Sequence, residues 1–233
     1  MAIENYMPDF AVEAVYDLTV QSLQKQGIKA VLVDLDNTLI AWTNPDGTAE
    51  MKQWLHDLRD AGIRIIVVSN NTPKRVKRAV EKFDIDYVYW ALKPFTLGIN
   101  RAMKHFHYKK NEVVMVGDQL MTDIRAAHRA GIRSILVKPL VQHDSIKTQI
   151  NRARERRVMR KIAEKYGPIT YKKGTQPWKK FSVLVVEQSL RRKIRLVLVS
   201  PPSRHLKKVW KLEKFIASVV SVFVITMKSQ MSS

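Results

Sequence analysis

Residues 31–40 read VLVDLDNTLI. The apolar start belongs to a buried strand, yet the run delivers two carboxylates, Asp34 and Asp36, separated by one leucine. An ionised carboxylate buried without a partner costs several kcal/mol. Side chains alternate along a strand, so residues 34 and 36 are expected on the same side. Two like charges then converge on one point, and a positive group is expected between them.

The surrounding chain repeats this kind of run. KAVLVDL (29–35), IRIIVVSN (63–70), YVYWA (87–91), EVVMVGD (112–118) and RSILVKP (133–139) are short apolar segments that end in polar or turn residues. Strands of a parallel sheet covered on both faces have this composition. Helical patterns lie between them at 48–61, with Met51, Leu55 and Leu58 on one face, and at 73–83, 95–106 and 122–130. Gly62 and Gly131 stand where helix C-caps fall, and Thr72-Pro73 and Lys93-Pro94 place Pro in a first helical turn. The alternation predicts an α/β fold, a doubly wound parallel sheet of Rossmann type with right-handed crossovers. Ligands bind such sheets at the carboxyl ends of the strands. Asp34 and Asp36, Ser69 and Asn70, Lys93, and Gly117-Asp118 all fall at or just after strand ends, so one edge collects them.

Those residue types suit phosphate chemistry. Asp34, Asp36, Asp118 and Asp123 offer a hard, oxygen-only donor set, which matches Mg²⁺. Asp34 is placed to attack phosphorus, and Asp36 to protonate the leaving oxygen and later activate water. Ser69 and nearby amides can hold the transferring oxygens, and Lys93 can neutralise their charge. Without metal, repulsion among these acids is expected to raise at least one carboxyl pKa. Ser69 would equally serve as a helix cap, and Lys74, Arg75, Lys77 and Arg78 either line the mouth of the site or form a solvated helix face. His105, His107 and His128 lack metal-ligand company and read as surface residues.

DLDNT, VVSNN, ALKP and GDQLMTD, in this order, resemble the four motifs of the haloacid dehalogenase (HAD) superfamily of phosphohydrolases. In detail they look closest to the YqeG family of subclass IIIA, which is related to phosphatidylglycerophosphate phosphatases. The resemblance spans about residues 29–140. It implies an aspartyl-phosphate mechanism with Asp34 as nucleophile, Asp36 as general acid/base, Ser69, Asn70 and Lys93 as phosphate binders, and Mg²⁺ on Asp34, Asp118, Asp123 and the main-chain carbonyl of Asp36. The family often continues with GNR, where this chain has AAHRAG (126–131). HAD enzymes insert cap domains between these motifs. Here 33 residues separate Asp36 from Ser69 and 24 separate Ser69 from Lys93, too few for a cap. An uncapped, open site is expected.

The 233-residue chain has 45% hydrophobic residues, enough for a real core, and no cysteine, which excludes disulfides, thiolate nucleophiles and zinc–sulfur sites. The start, MAIENYMPDFAVEAVYDL, lacks the basic and apolar regions of a signal peptide, so a cytoplasmic location is expected. The net charge is +20, divided as +10 on each side of Gly174. Such an excess points to anionic partners: a phosphorylated substrate, an anionic membrane surface touched peripherally, or nucleic acid. No RNP-like aromatic motif or GxxG clamp supports the last. Residues 146–166 form a basic helix that either docks on the core through Ile150, Val158, Ile162 and Tyr166 or lies on an anionic bilayer. The expected domains are 1–174, the phosphatase core, and 175–233, a basic extension with no catalytic role. The sequence assigns no oligomeric state. Alternatives to a phosphate monoesterase are a lipid phosphatase acting on phosphatidylglycerophosphate at the inner membrane surface and an RNA- or ribosome-associated binding protein.

Overall fold

A computed structural model of the protein describes residues 3–141 and 146–171, including the side chains of all of these except 146–153. The expected boundary at Gly174 and the 175–233 extension lie outside the described residues. Among the described residues six strands form one sheet: β1 (Phe10–Val12), β2 (Ala30–Val33), β3 (Arg64–Val68), β4 (Asp86–Val88), β5 (Val113–Gly117) and β6 (Arg133–Val137). Their order is β1-β6-β5-β2-β3-β4, and every pairing is parallel. The helices are α1 (Val20–Lys25), α2 (Ala49–Asp60), α3 (Pro73–Val80), α4 (Leu97–His105), α5 (Arg125–Ala130) and α6 (Ile146–Tyr166).

The apolar runs are unbroken because both faces of the sheet are covered. Val31 and Val33, Ile65 and Val67, and Val114 and Val116 face one core, which takes in Leu23 of α1, Met51, Trp54, Leu55 and Leu58 of α2, and Val76 and Val80 of α3. Ala30 and Leu32, Ile66 and Val68, and Val113 and Met115 face the other core, with Ile99, Ala102 and Met103 of α4 and Ala126, Ala127 and Ala130 of α5. α2 begins where Thr48 Oγ1 accepts a hydrogen bond from the Met51 amide at 3.2 Å, and Trp54 Nε1 donates to the Leu18 carbonyl at 2.8 Å. The Gly that follows α2 and the Gly that caps α5 take left-handed φ values, +71° at Gly62 and +70° at Gly131, as their places in the sequence predict.

Three local expectations change. β1 adds an edge strand that three residues are too short to announce; it is held to β6 by Asp9, whose Oδ2 accepts from the buried Ser134 amide and hydroxyl. The third predicted strand, 87–91, is Asp86–Val88 instead, because Trp90 and Leu92 turn to left-handed φ values of +44° and +53°. Pro94 does not open a helix: α4 starts at Leu97, and the Lys93–Pro94 bond lies in the preceding loop in the cis form.

The sheet order decides where a site forms. From β2 the chain winds outward through β3 and β4, then returns to β5 on the other side of β2. The carboxyl ends of β2 and β5 therefore stand side by side with their crossovers on opposite faces, which opens a crevice. Neither connection around that crevice holds an extra domain: loop, α2 and β3 fill 37–68, and α3, a short turn, β4 and a loop fill 70–92. Helix α6 docks beside the crevice. Ile162 is buried, Val158 and Tyr166 are half-buried, and Lys165 and Tyr166 both donate to the Glu4 carboxylate. Among the described residues no helix is long and apolar enough to cross a membrane.

Candidate active site

β2 ends at Val33, and ladder bonding continues one residue further, where the Asp34 amide donates to the Val116 carbonyl at 2.9 Å. Asp34 is thereby fixed at the rim of the crevice, Leu35 turns into the core, and Asp36 follows in a turn that Asn37 closes at φ +61°. Asp118 follows β5 directly. Asp123 comes from a π-helical turn, Leu120–Ile124, whose Asp123 amide donates to the Gln119 carbonyl at 3.0 Å while Asp123 Oδ2 accepts from the Gln119 amide at 3.1 Å. Gly117 makes room for that carboxylate, since a Cβ there would stand 2.3–2.4 Å from the Asp123 side chain.

Lys93 arrives from two strands away. The 89–96 loop folds back over the sheet edge through Trp90 N to Asn71 O (3.1 Å) and Ala91 N to Ser69 O (2.9 Å). Gly98 lets α4 press on that loop, because a Cβ at 98 would meet Ala91 Cβ at 2.4 Å. Asn70 then clamps the Lys93 main chain at both ends, its Oδ1 accepting from the Lys93 amide (2.7 Å) and its Nδ2 donating to the Lys93 carbonyl (2.9 Å). The left-handed Trp90 and Leu92 are costly conformations for side-chain-bearing residues, of the order of 1 kcal/mol or more each, and such costs gather at working segments. The same segment exposes Trp90, Leu92, Phe95 and Leu97, and Arg129 of α5 braces it by donating to the Pro94 carbonyl at 3.0 Å and lying over the Phe95 ring.

The side chains meet in one buried cluster. Lys93 Nζ lies 2.5 Å from Asp34 Oδ1 and 2.7 Å from Asp123 Oδ1, the latter within ion-pair distance but off hydrogen-bonding alignment. Carboxylate oxygens of Asp34, Asp118 and Asp123 fall within 4.8 Å of one another. Burial pushes the Asp34 carboxyl up to about 6; Lys93 opposes that rise, and Asp123 and Asp36 add to it. Repulsion among the acids therefore contributes, as the sequence predicts, but desolvation is the larger cause. The Lys93 ammonium loses proton affinity by burial and regains more from Asp123 and Asp34, so it stays charged. The convergence expected of Asp34 and Asp36 does not occur: β2 has ended and the chain is turning by residue 36, so the buried cation Lys93 lies between Asp34 and Asp123 instead, and Asp36 pairs with Arg75.

Asp36 stands apart, at the mouth. Its Oδ2 accepts from Asn71 Nδ2 at 2.6 Å and its Oδ1 from Arg75 Nη2 at 2.5 Å. Ser69 is buried; its Oγ accepts from the Asn71 amide (3.2 Å) and Asn71 Nδ2 (3.0 Å), which leaves its own O–H to donate.

Residues 2–137 match the haloacid dehalogenase-like hydrolase family. This chain belongs to that family. It is 36% identical over 160 residues to the probable phosphatase YqeG of Bacillus subtilis strain 168, covering 69% of this chain and 93% of that protein. It is 27% identical over 116 residues to the ribulose-1,5-bisphosphate 5-phosphatase of Halopiger xanaduensis, covering 46% and 48% of the two chains. A crystal structure of an uncharacterized Listeria monocytogenes serotype 4b protein superposes with a TM-score of 0.42 at 21% identity, over 51% of this chain and 85% of that one.

In this HAD site the structure brings together Asp34, Lys93, Asp118 and Asp123, places Ser69 at the next strand end, and sets the Asp36 carboxylate outside the acidic trio. Asn70 is present, but both ends of its amide are engaged by the Lys93 main chain. Three supporting residues, Thr38, Asn71 and Glu155, receive no role from the sequence, and Arg75, which the sequence places either at the mouth or on a solvated helix face, is at the mouth. Thr38 Oγ1 donates to Asp118 Oδ1 at 3.4 Å, Asn71 and Arg75 hold Asp36, and Glu155 of α6 is buried with Oε1 accepting from the Leu120 amide, tying α6 to the turn that carries Asp123. Thr38 and Asn71 lie inside the DLDNT and SNN motifs and were findable there. Arg75 was one of four adjacent cations, and nothing local marks Glu155.

Proposed function

We propose that this HAD phosphatase is Mg²⁺-dependent and hydrolyses phosphate monoesters through a phosphorylated Asp34. The observation that carries the reading is the cluster itself: a buried lysine held between Asp34 and Asp123, with Asp118 within reach, at an uncapped strand-end crevice.

The donor set fits the metal. One carboxylate oxygen from each of three residues, all within 4.8 Å of one another, makes the hard, oxygen-only donor set that Mg²⁺ prefers. Asp34, Asp118 and Asp123 would hold the ion; the Asp36 carboxylate is occupied elsewhere, which leaves its main-chain carbonyl as the group it would contribute. When bound, Mg²⁺ supplies charge neutralisation between the acids and the incoming phosphate.

The remaining work falls to the chain. An Asp34 carboxylate oxygen attacks phosphorus, and the bond from phosphorus to the leaving oxygen breaks. Asp36 passes its proton to that leaving oxygen, then takes one from the water that cleaves the acyl phosphate. Ser69 donates its free O–H to a phosphoryl oxygen, and Lys93 offsets charge as it builds. Asn70 has a positioning role, holding the Lys93 backbone so that the ammonium stays on target.

Phosphate release from phenyl phosphate, with Mg²⁺ and then with excess chelator, tests the reading. Turnover should require metal and should fall by on the order of a thousandfold or more in Asp34→Asn. Metal-independent turnover, or an active Asp34→Asn protein, would overturn it.

A further inference from the structure

Beside the acidic cluster lies a second, oppositely charged feature. A cleft of about 430 Å³ opens between the loop that follows β2 and the length of α3, lined by Pro45, Thr72, Lys74, Arg75, Arg78 and Ala79. The ionisable groups in that lining are three cations; no carboxylate is among them. Asp46, next to Pro45 in sequence, is taken by Lys82. Arg75 is shared with the active site, since its Nη2 is bonded to Asp36 Oδ1. The other guanidinium donors remain available, because the fork carries five N–H groups and Asp36 uses one nitrogen.

The arrangement is unfavourable as it stands. Lys74 and Arg78 are four residues apart and Arg75 and Arg78 three, so Arg78 is a neighbour of both on the helix surface. Like charges at these spacings repel, and cations in a first turn also oppose the helix dipole. The first turn of α3 has no acid to compensate, and among the described residues Lys74 and Arg78 have no ion pair or side-chain hydrogen bond. An anion in the cleft would relieve all of this. Local rules broken without a structural remedy mark working sites.

We propose that this cleft is a second anion subsite of the active site, and that it takes a second phosphate group carried on the organic arm of the substrate. The preferred substrates are then small bisphosphates in which one phosphate reacts at Asp34 while the other rests among Lys74, Arg75 and Arg78. Arg75 links the two: a bound second phosphate competes for the guanidinium that holds Asp36, so occupancy of the cleft is felt at the mouth of the catalytic site. This inference rests on the phosphatase reading for its chemistry but on the cleft alone for its binding.

Two measurements on the full-length chain separate those dependences. In the first, kcat/KM is compared for propane-1,3-diol bisphosphate and propyl phosphate. The bisphosphate should lead by about tenfold or more, as expected for added charge-assisted hydrogen bonds. The lead should collapse in Lys74→Ala/Arg78→Ala. It should persist in Lys77→Ala, whose side chain is exposed on the same helix but does not line the cleft. In the second, propane-1,3-bisphosphonate and propylphosphonate, which cannot be hydrolysed, are titrated calorimetrically. The bisphosphonate should bind about tenfold or more tightly. That advantage should vanish in the double variant. Equal affinities in the parent protein would overturn the subsite, as would an advantage that survives the double variant or falls equally in Lys77→Ala. Failure of the phosphatase reading would appear differently, as no phosphate release from either ester, and the titration would still decide the subsite.

Discussion

Replacing Lys93 with methionine removes one charge and leaves the side chain's length and apolar stem nearly unchanged. The consequence follows from the geometry: the ammonium is 2.5 Å from Asp34 and 2.7 Å from Asp123, and the three side chains are 2%, 12% and 1% exposed. Water cannot take over from the lost cation. Removing one partner of a buried ion pair typically costs about 3–5 kcal/mol, chiefly because the other partner stays desolvated and uncompensated. For a domain of this size that is a fall in Tm of roughly 6–20 °C. The cost should depend on pH. In the parent protein the Asp34 carboxyl is pushed from 3.8 to about 6, a gap worth about 3 kcal/mol. A folded-state pKa raised above the unfolded value means that the folded protein binds the proton more tightly. The metal-free fold therefore carries this penalty at pH above about 6 and sheds it as pH falls towards 3.8. Lys93→Met removes the group that opposes the rise, so its penalty should be greatest near neutrality and shrink on acidification. Urea unfolding of chelator-treated parent and variant at pH 7.5 and at pH 5.5 measures both effects. A loss below about 1 kcal/mol, or one that does not shrink at the lower pH, would refute the buried-pair account.

Further outcomes follow from other contacts. Gly117→Ala should drive a methyl group into the Asp123 carboxylate and abolish Mg²⁺-induced thermal stabilisation, whereas Asp57→Ala, on the exposed face of α2, should leave it unchanged; melts with and without Mg²⁺ decide this. Asn70→Ala should cut kcat by about 10- to 100-fold by releasing the Lys93 main chain, with the fold retained by circular dichroism; an unchanged kcat would remove its positioning role. Glu155→Gln should weaken α6 docking by about 1–3 kcal/mol, read as faster amide exchange across 154–166, since a charged acceptor for the Leu120 amide is lost. The Glu4 carboxyl is held down to about 2 by Lys165 and Tyr166, so the contribution of that contact is present above about 4.5 and is lost as pH falls towards 2. Unchanged exchange of the last turn of α6 across that range would contradict it.

Much of this was legible in the sequence, for physical reasons that differ by element. β2, β3, β5 and β6 stand out because strands buried on both faces need unbroken apolar runs, and α2 and α5 end at glycines because their caps need positive φ. The three residues of β1 carry no such signal, and its pairing depends on Asp9 reaching a serine 125 positions away. The end of β4 was misplaced because Trp90 and Leu92 look like strand residues and are bent by the demands of carrying Lys93 across the sheet edge. At the site, the acids and the lysine announce themselves by position after strand ends. What Asn70, Asn71, Arg75 and Glu155 do depends on neighbours 23, 35, 39 and 35 residues away, which local sequence does not encode.

The central claim, that Asp34 carries the phosphoryl group, can be seen directly. Asp36→Asn keeps the nucleophile but lacks the group that activates water, so the phosphorylated form should accumulate. The variant is mixed with phenyl phosphate and Mg²⁺, quenched in acid, digested, and its peptides are weighed and fragmented. The account predicts the added mass of one phosphoryl group on the peptide spanning residues 31–40, localised to Asp34 and absent when Asp34→Asn is combined with it. A phosphoryl group on another residue, or turnover in the parent protein with none trapped on Asp34 in the variant under conditions where its phosphate release is demonstrably slowed, would contradict it.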